Sequence, residues 1–297
     1  MRSDIVALMI ILFFWLSACT SAEETPIRFQ SPMPSATIAV SLPTQTEEAP
    51  IRNLTPTGTI APTMTSLPAI EEVSILPGHH AYSFRSSSGE EIRFLLFLPD
   101  EYDLAVPWPL IVYFHGAGER GFNIARLVDL SLPELSGMTE DFPFVVVSPQ
   151  LPSGLWPKYI DPVDELLDQL ADRIALDEKH LYLTGFSIGS HGTWRYALRH
   201  PDRFAAIAPI AAGPSSSGSE PVPEDICTLK DLPIWTFHSE ADTTTSFELT
   251  EVVVEALEDC GADVRFTRYT DLGHGETAFD AYGNPDLFDW FLEHTNH

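Results

Sequence analysis

The fold of this chain is decided by residues 180–200, which read HLYLTGFSIGSHGTWRYALRH. The apolar residues before the turn predict a short buried strand, and the residues after Ser187 predict a helix. Between them lies the pattern Gly-x-Ser-x-Gly, in which the glycines remove side chains that would clash and the serine hydroxyl stands clear of the backbone. The helix that follows points its N–H groups and the positive end of its dipole at the same spot. This arrangement predicts that Ser187 is a nucleophile.

Apolar runs on both sides of this unit predict the rest of the fold. We expect strands at 109–114, 144–148, 204–210, 234–238 and 264–269, and helices at 163–176, 246–259 and 285–294. Asp161 and Pro162 are expected to begin the first of these helices, as its N-cap and its first helical residue. Segments 82–85 and 92–98 flank a Ser-Ser-Ser-Gly-Glu turn and predict an antiparallel hairpin at the sheet edge. Strands that alternate with helices imply an α/β class with a mostly parallel, doubly wound sheet, which binds ligands at the carboxyl ends of its strands.

The first residues predict a leader that is not part of the fold. Arg2 precedes an apolar run at 5–16 that is too short to span a bilayer, so 1–18 is expected to be a signal peptide. The residues Leu-Ser-Ala-Cys that end at Cys19 resemble the lipobox of bacterial lipoproteins, in which the cysteine is acylated and becomes the mature N-terminus. Asp4 departs from that pattern, and an ordinary signal peptide that contains a cysteine is the alternative. The resemblance implies an extracytoplasmic protein that is lipid-anchored to the bacterial cell membrane.

Composition sets the limits of the domain and its partners. Residues 19–74 are rich in Pro, Thr and Ser and predict a disordered tether, so the folded domain is expected at 75–297. The formal net charge is -27, which would repel nucleic acid and an anionic membrane surface. We therefore expect no nucleic-acid partner, membrane contact through the lipid anchor only, and a monomer.

With Cys19 lipidated, Cys227 and Cys260 are the remaining cysteines, an even pair in an oxidising compartment. Cys227 precedes the strand at 234–238, and Cys260 ends the helix that follows this strand. Because that helix runs antiparallel to the strand, both cysteines are expected near the same edge of the sheet. The pattern predicts a disulfide, with two buried free thiols as the alternative.

The ordered motifs resemble the α/β-hydrolase fold. Five segments carry the resemblance. They are HGAGERG at 115–121, Val-Ser-Pro-Gln ending at Gln150, TGFS ending at Ser187, PDRFAAIAP at 201–209, and Gly-His ending at His274. Together they resemble the phospholipase/carboxylesterase and predicted-peptidase group of secreted esterases, to which feruloyl esterases are related. The resemblance extends over residues 84–292. The chain departs from the group at Ser190, where a second glycine is frequent, and at 238–242, HSEAD, where His-Gly is usual. No insertion is long enough for a large cap domain.

The resemblance implies a catalytic triad. A serine hydroxyl needs a base within hydrogen-bond reach and an acid that orients this base, and the fold supplies them in the chain order Ser, acid, His. His274 follows the last strand on a loop with glycines on either side, and is the expected base. Asp242 follows the strand at 234–238 and is the expected acid, with Glu240 as the competing carboxylate.

The oxyanion of the tetrahedral intermediate needs backbone donors, and the fold implies the N–H groups of Ile188 and Ala117. His115 is expected to brace the loop that carries Ala117. Trp156 and His191 either line the substrate pocket or pack as ordinary core residues.

Taken together, these features predict an extracellular, membrane-tethered serine hydrolase that cleaves carboxylic esters, small or polymeric, through an acyl-enzyme. One alternative is a peptidase or amidase with the same triad, and another is a surface binding module without activity. The pair His79-His80 lacks acids at ligand spacing, and no glycine-rich nucleotide loop occurs. The sequence therefore predicts neither a metal nor a cofactor.

Overall fold

Eight strands form a single sheet in the computed structural model, which describes residues 67–128, 131–215 and 220–296. The strands are β1 Gly78–Arg85, β2 Glu91–Leu98, β3 Trp108–Phe114, β4 Val145–Gln150, β5 Leu176–Phe186, β6 Ala206–Ile210, β7 Ile234–Ser239 and β8 Val264–Tyr269. They lie in the order β1-β2-β4-β3-β5-β6-β7-β8. The β1–β2 and β2–β4 pairs are antiparallel, and all the other pairs are parallel. The predicted fold class, including the antiparallel hairpin at the edge, is confirmed.

Helices cover both faces of the sheet. They are α1 Ser131–Met138, α2 Ile160–Ala171, α3 Ile188–Arg199, α4 Phe247–Asp259, α5 His274–Gly283 and α6 Pro285–Leu292. Each face of the sheet has its own hydrophobic core, and successive residues of β3 contribute to opposite cores. Val112 packs in the core that contains residues of α2, α3 and α4, and Ile111 packs in the core that contains residues of α1, α5 and α6. This alternation follows from the two-residue period of a strand, and it explains why β3 is apolar throughout. No described helix is long and apolar enough to cross a membrane.

The structure corrects the predicted bounds of α2. This helix begins at Ile160 and ends at Ala171, several residues before the predicted end at Leu176. Its N-cap is Tyr159, and Asp161 instead points its carboxylate at Arg199, 2.8 Å away. Pro162 is tolerated because the N–H groups of a first helical turn have no partner within the helix. Leu176 is the first residue of β5. The strand begins there because the preceding Ala175 carbonyl accepts a hydrogen bond from the N–H of Trp108, the first residue of the neighbouring strand β3.

The folded domain also extends further toward the N-terminus than predicted. Ile70 is 3% exposed and belongs to the core, and Ser83 N–H donates to the Pro68 carbonyl at 2.8 Å. Residues 67–74, which composition places in the tether, therefore pack along β1. The predicted signal peptide, the lipidation site Cys19 and the tether up to residue 66 lie outside the described residues.

The two remaining cysteines are joined in the predicted pairing. Cys227 lies in a 3-10 turn, Ile226–Leu229, just before β7, and Cys260 caps the C-terminal end of α4. Their Cα atoms are 5.5 Å apart, and the disulfide joins two residues that are 33 positions apart in the sequence. This bond fastens α4 to the end of the sheet opposite the carboxyl ends of the parallel strands.

Candidate active site

The turn between β5 and α3 holds Ser187 in a strained backbone conformation. Its φ is 58° and its ψ is -118°, a region that residues with a Cβ rarely occupy and that is associated with functional sites. Two glycines make the turn sterically possible. A Cβ on Gly189 would lie 1.9 Å from the Phe114 carbonyl oxygen, and one on Gly185 would lie 2.6 Å from the Gly189 backbone. The turn is thus closed by backbone packed on backbone, with the serine at its apex.

Ser187, His274 and Asp242 are brought together at the carboxyl end of the sheet. The Ser187 Oγ lies 2.8 Å from Nε2 of His274, and Nδ1 of His274 lies 2.6 Å from Oδ2 of Asp242. Because the carboxylate can only accept, His274 donates from Nδ1, which leaves its Nε2 to accept the Ser187 hydroxyl proton. The three residues come from three separate chain segments: the β5–α3 turn, the loop after β7, and the start of α5. This arrangement can remove a proton from the serine as its oxygen attacks.

His274 differs from the prediction in its local structure. It is the first residue of α5, with Gly273 as the N-cap, and does not lie in a loop. The Glu276 carboxylate accepts from the Gly273 N–H at 2.7 Å, which fixes this end of the helix. A base at a helix end keeps its ring free to face Ser187 while its backbone is held by the helix.

Asp242 is the acid that contacts His274, and the competing Glu240 is exposed to solvent. The Asp242 side chain is completely buried, and its Oδ1 accepts the backbone N–H of Thr244 at 2.8 Å and that of Thr245 at 3.1 Å. Burial acts to raise the pKa of Asp242, but hydrogen bonds from His274, Thr245 and Thr244 outweigh it and lower the pKa below its ordinary value. Asp242 is therefore ionised at neutral pH.

Thr245 contacts the acid and the base of the site, and the sequence does not predict this role. Its Oγ1 lies 2.8 Å from Oδ2 of Asp242, 2.8 Å from the Ala211 carbonyl and 3.3 Å from Nδ1 of His274. The one signal in the sequence is its position just after an Asx turn, in which the Asp242 carboxylate accepts the N–H two residues on, that of Thr244. Thr245 thus ties the acid to the loop that follows β6.

The loop that carries Ala117 is held by buried side chains. His115 is fully buried, and its Nδ1 donates to the Gly116 carbonyl at 2.6 Å while its Nε2 accepts the Leu151 N–H at 2.9 Å. Gln150 donates to the carbonyls of Glu119 and Asn123 at 2.9 and 2.8 Å. The loop is therefore braced from the end of β4.

The Glu119 carboxylate lies 3.7 Å from Nδ1 of His115, and the interaction with this ring lowers the pKa of Glu119 below its ordinary value. His115 thus connects Glu119 to the brace at the end of β4.

The two predicted oxyanion donors both begin a helical turn. Ala117 is the first residue of a 3-10 turn, Ala117–Glu119, and Ile188 is the first residue of α3. Among the described residues neither N–H donates to a protein acceptor, as expected for the first N–H groups of a helix. Both amides are available to a ligand oxygen.

Trp156 and His191 have different positions. Trp156 is 1% exposed, stacks on Phe114 with ring centroids 4.0 Å apart, and donates from Nε1 to the His115 carbonyl. It packs beneath the site and does not line the pocket. His191 does line a cavity of about 300 Å³ that also touches Ser187. Burial lowers the pKa of His191 to about 4, so its ring is neutral at physiological pH.

Comparisons with known proteins find relatives and structural neighbours that are described as esterases. Residues 142–278 match the family model described as Phospholipase/Carboxylesterase. A putative carboxymethylenebutenolidase of Salmonella typhi is 30% identical over 254 residues, which cover 80% of this chain and 84% of that protein. A structure described as that of a thermostable esterase is 28% identical with a TM-score of 0.61, covering 74% of this chain and 64% of that one. The feruloyl esterase module from Clostridium thermocellum, complexed with sinapinate, shares the fold with a TM-score of 0.61 at 14% identity, covering 78% and 96%.

Proposed function

Because the chain belongs to the α/β-hydrolase superfamily and is an esterase-type hydrolase, we propose that it cleaves carboxylic esters through a serine nucleophile. The observation that carries this proposal is the unbroken chain of hydrogen bonds from Ser187 through His274 to Asp242, at 2.8 and 2.6 Å. Serine nucleophile, histidine base and orienting carboxylate are the three groups that acyl transfer requires.

In the first half of the reaction, Ser187 attacks the ester carbonyl as His274 takes the hydroxyl proton at Nε2. Negative charge then develops on the former carbonyl oxygen, which accepts hydrogen bonds from the N–H groups of Ile188 and Ala117. Such preorganised donors contribute about 100- to 1000-fold in rate for each donor. The buried, ionised Asp242 stabilises the imidazolium of His274.

In the second half, the protonated His274 gives its proton to the departing alcohol oxygen, which leaves Ser187 acylated. Water, deprotonated by the same imidazole, then attacks the acyl-enzyme and releases the carboxylic acid. The loop carrying Ala117 is braced by His115 and Gln150, so its donors are in place before the substrate binds. His274 then gives the proton taken from water to Oγ of Ser187, which replaces the proton that left with the alcohol, and the enzyme is regenerated.

The location of the enzyme is part of the same proposal. A short apolar leader followed by the lipobox-like residues that end at Cys19 supports export and acylation at that cysteine. Residues 20–66 would then connect the lipid to the domain. A hydrolase held outside the membrane in this way would meet extracellular esters, including those on polymers.

Ser187→Ala tests the nucleophile. Removal of the nucleophile of a serine triad lowers kcat by about 10⁶-fold, so hydrolysis of p-nitrophenyl acetate is expected to fall to background. A fluorophosphonate probe should label the wild-type protein and leave this variant unlabelled.

Ser136→Ala is the matched control, since Ser136 is a buried serine of α1 whose hydroxyl donates to the Pro133 carbonyl and lies 3.5 Å from Nε2 of His79, with no described contact to Ser187, His274 or Asp242. It should keep both labelling and turnover. Turnover of the ester by Ser187→Ala at the wild-type rate would rule out the proposed mechanism.

A further inference from the structure

The cavity beside Ser187 has a lining without charge. The structure describes eleven residues around it, among them Leu155, Ile188, Ala212 and Leu249, and none of these is an acid, a lysine or an arginine. The one titratable side chain among these eleven is that of His191, which burial keeps neutral at physiological pH by lowering its pKa to about 4. A charged group that entered this cavity would lose hydration and find no group of opposite charge among these residues.

One wall of the cavity is fastened to the nucleophile helix. The Ser190 hydroxyl and the Trp194 indole N–H both donate to the Ala212 carbonyl, at 2.6 and 3.1 Å. Arg195 donates from Nε to the Pro214 carbonyl at 2.8 Å. Gly213 packs so closely on α4 that a Cβ there would lie 2.8 Å from the Leu249 carbonyl oxygen. This wall of the cavity is therefore held in place by α3 and α4.

The position of His274 indicates which part of an ester the cavity holds. The leaving alcohol oxygen must reach Nε2 of His274 to be protonated. His274 does not line the cavity, whereas Ser187 and Ile188 do. The group that enters it is thus the one that stays bonded to Ser187, the acyl group.

The volume limits that acyl group. A cavity of about 300 Å³ lies at the small end of the range of ligand pockets, which is about 300 to 1,000 Å³, so it suits an acyl group of short or medium length.

We propose that this cavity is the acyl subsite and that it selects uncharged acyl groups of short or medium length, since its volume is small and its described lining residues carry no counter-charge. The inference rests on the proposed serine esterase function and specifies its substrate class. The formal net charge of -27 acts in the same direction, because an acidic protein repels an anionic substrate before it binds.

The test compares p-nitrophenyl acetate, hexanoate and laurate, together with mono-p-nitrophenyl adipate, whose six-carbon acyl group ends in a carboxylate. For the wild-type protein kcat/KM should be highest for hexanoate, and at least about tenfold lower for adipate because its carboxylate has no partner in the cavity. Leu249→Phe adds volume to the cavity wall and should lower the hexanoate-to-acetate ratio of kcat/KM by about tenfold. Leu104→Phe makes the same change at an exposed loop position and should leave the ratio unchanged.

The outcomes separate this inference from the proposed function. If no ester is hydrolysed and the fluorophosphonate probe does not label the protein, the proposed function fails. If acetate is hydrolysed but adipate is preferred to hexanoate, or Leu249→Phe leaves the ratio unchanged, the function stands and the acyl subsite is wrong.

A second inference comes from a different observation, the contacts of His238. This residue is completely buried at the end of β7, with Nε2 3.2 Å from Oδ2 of Asp242 and Nδ1 2.7 Å from Oγ1 of Thr250. Burial lowers the pKa of His238 more than the nearby Asp242 raises it, so the ring is neutral. A neutral ring has one N–H, and because the carboxylate can only accept, that N–H is on Nε2 and the Thr250 hydroxyl donates to Nδ1.

Oδ2 of Asp242 therefore lies between two imidazoles, one that performs the chemistry and one that does not. We infer that His238 is a positioning residue, which holds Oδ2 where it meets Nδ1 of His274. The charged or titratable groups around it are Asp242, His274 and, on α4, the exposed Glu248.

His238→Phe removes the hydrogen bond and should lower kcat by about 10- to 100-fold with little change in KM, since misplacement of a catalytic group by about 1 Å costs about this much. The acid limb of the kcat profile should move to higher pH, because a carboxylate with one donor fewer stabilises the neighbouring imidazolium more strongly.

His238→Gln retains an N–H donor near the same position and should restore most of the turnover and the original profile. If His238→Phe fails to fold, Thr250→Val, which removes only the partner of Nδ1, takes its place. The matched control is Thr184→Val, at a buried threonine that bonds to the Ala208 carbonyl and Tyr282. Equal losses in the Phe and Gln variants, or an unshifted acid limb, would show that His238 only fills space.

Discussion

At the scale of single residues, the site depends on a strained serine and on the glycines that surround it. Ser187 has a φ of 58°, and the same value occurs at Ala211, at the end of the neighbouring strand β6. Each is held by a backbone hydrogen bond to the adjacent strand: Ser187 N–H to the Ile210 carbonyl, and Ala211 N–H to that of Phe237. The sheet thus stabilises two unfavourable conformations next to each other, and both adjoin the proposed acyl subsite.

The same scale shows which site residues could be predicted. Ser187, Asp242 and His274 stand out because the chain order of the fold places each after a particular strand, and the parallel strands end at one edge. Thr245 and His238 do not, because a side chain that bonds to another side chain has no periodicity in sequence. Trp156 was ambiguous for a related reason, since an aromatic residue near a site packs under it as readily as it lines it.

At the scale of elements, strands were easier to predict than helices. The buried strand β3 is a continuous apolar run, and β7 is buried throughout and begins with apolar residues, so their predicted bounds nearly match. The sequence does not predict helix α1, because Pro133 and Gly137 lie inside it and both have a low helix propensity. The sequence predicts a loop at His274, where α5 begins, because the glycines on either side of it are typical of a turn.

The disulfide is the element-scale feature with a measurable consequence. Closing a loop of 33 residues stabilises the folded state by about 3 to 4 kcal/mol in the chain-entropy model. The double substitution Cys227→Ser with Cys260→Ser should therefore lower Tm by roughly 6 to 15 °C for a domain of this size.

Because the disulfide lies at the end of the sheet opposite Ser187, kcat/KM at 25 °C should change little. The same reductant that lowers the Tm of the wild-type protein should have no effect on the variant. A wild-type Tm that is insensitive to reductant under unfolding conditions would show that the bond does not form.

At the scale of the whole molecule, the proposal includes a lipid anchor at Cys19. Cys19→Ala should move the protein from the membrane fraction to the soluble fraction in a bacterial host, and should abolish incorporation of labelled palmitate, because the acylated residue is lost. Ser21→Ala, two residues further on, should leave both measurements unchanged. If wild type and Cys19→Ala partition alike, the leader is an ordinary signal peptide.

Thr245 also limits which residues of the cavity can be substituted to change the substrate selectivity. It lines the cavity beside Ser187, and its hydroxyl lies 2.8 Å from Asp242. Leu155 and Leu249 line the same cavity and, among the described contacts, make no hydrogen bond through their side chains to the acid or the base. Substitution of these leucines can thus alter substrate selectivity without lowering kcat. A substitution at Thr245 would alter selectivity and also lower kcat, because it removes a contact to the catalytic acid. A library for altered selectivity would vary the two leucines and keep the threonine fixed.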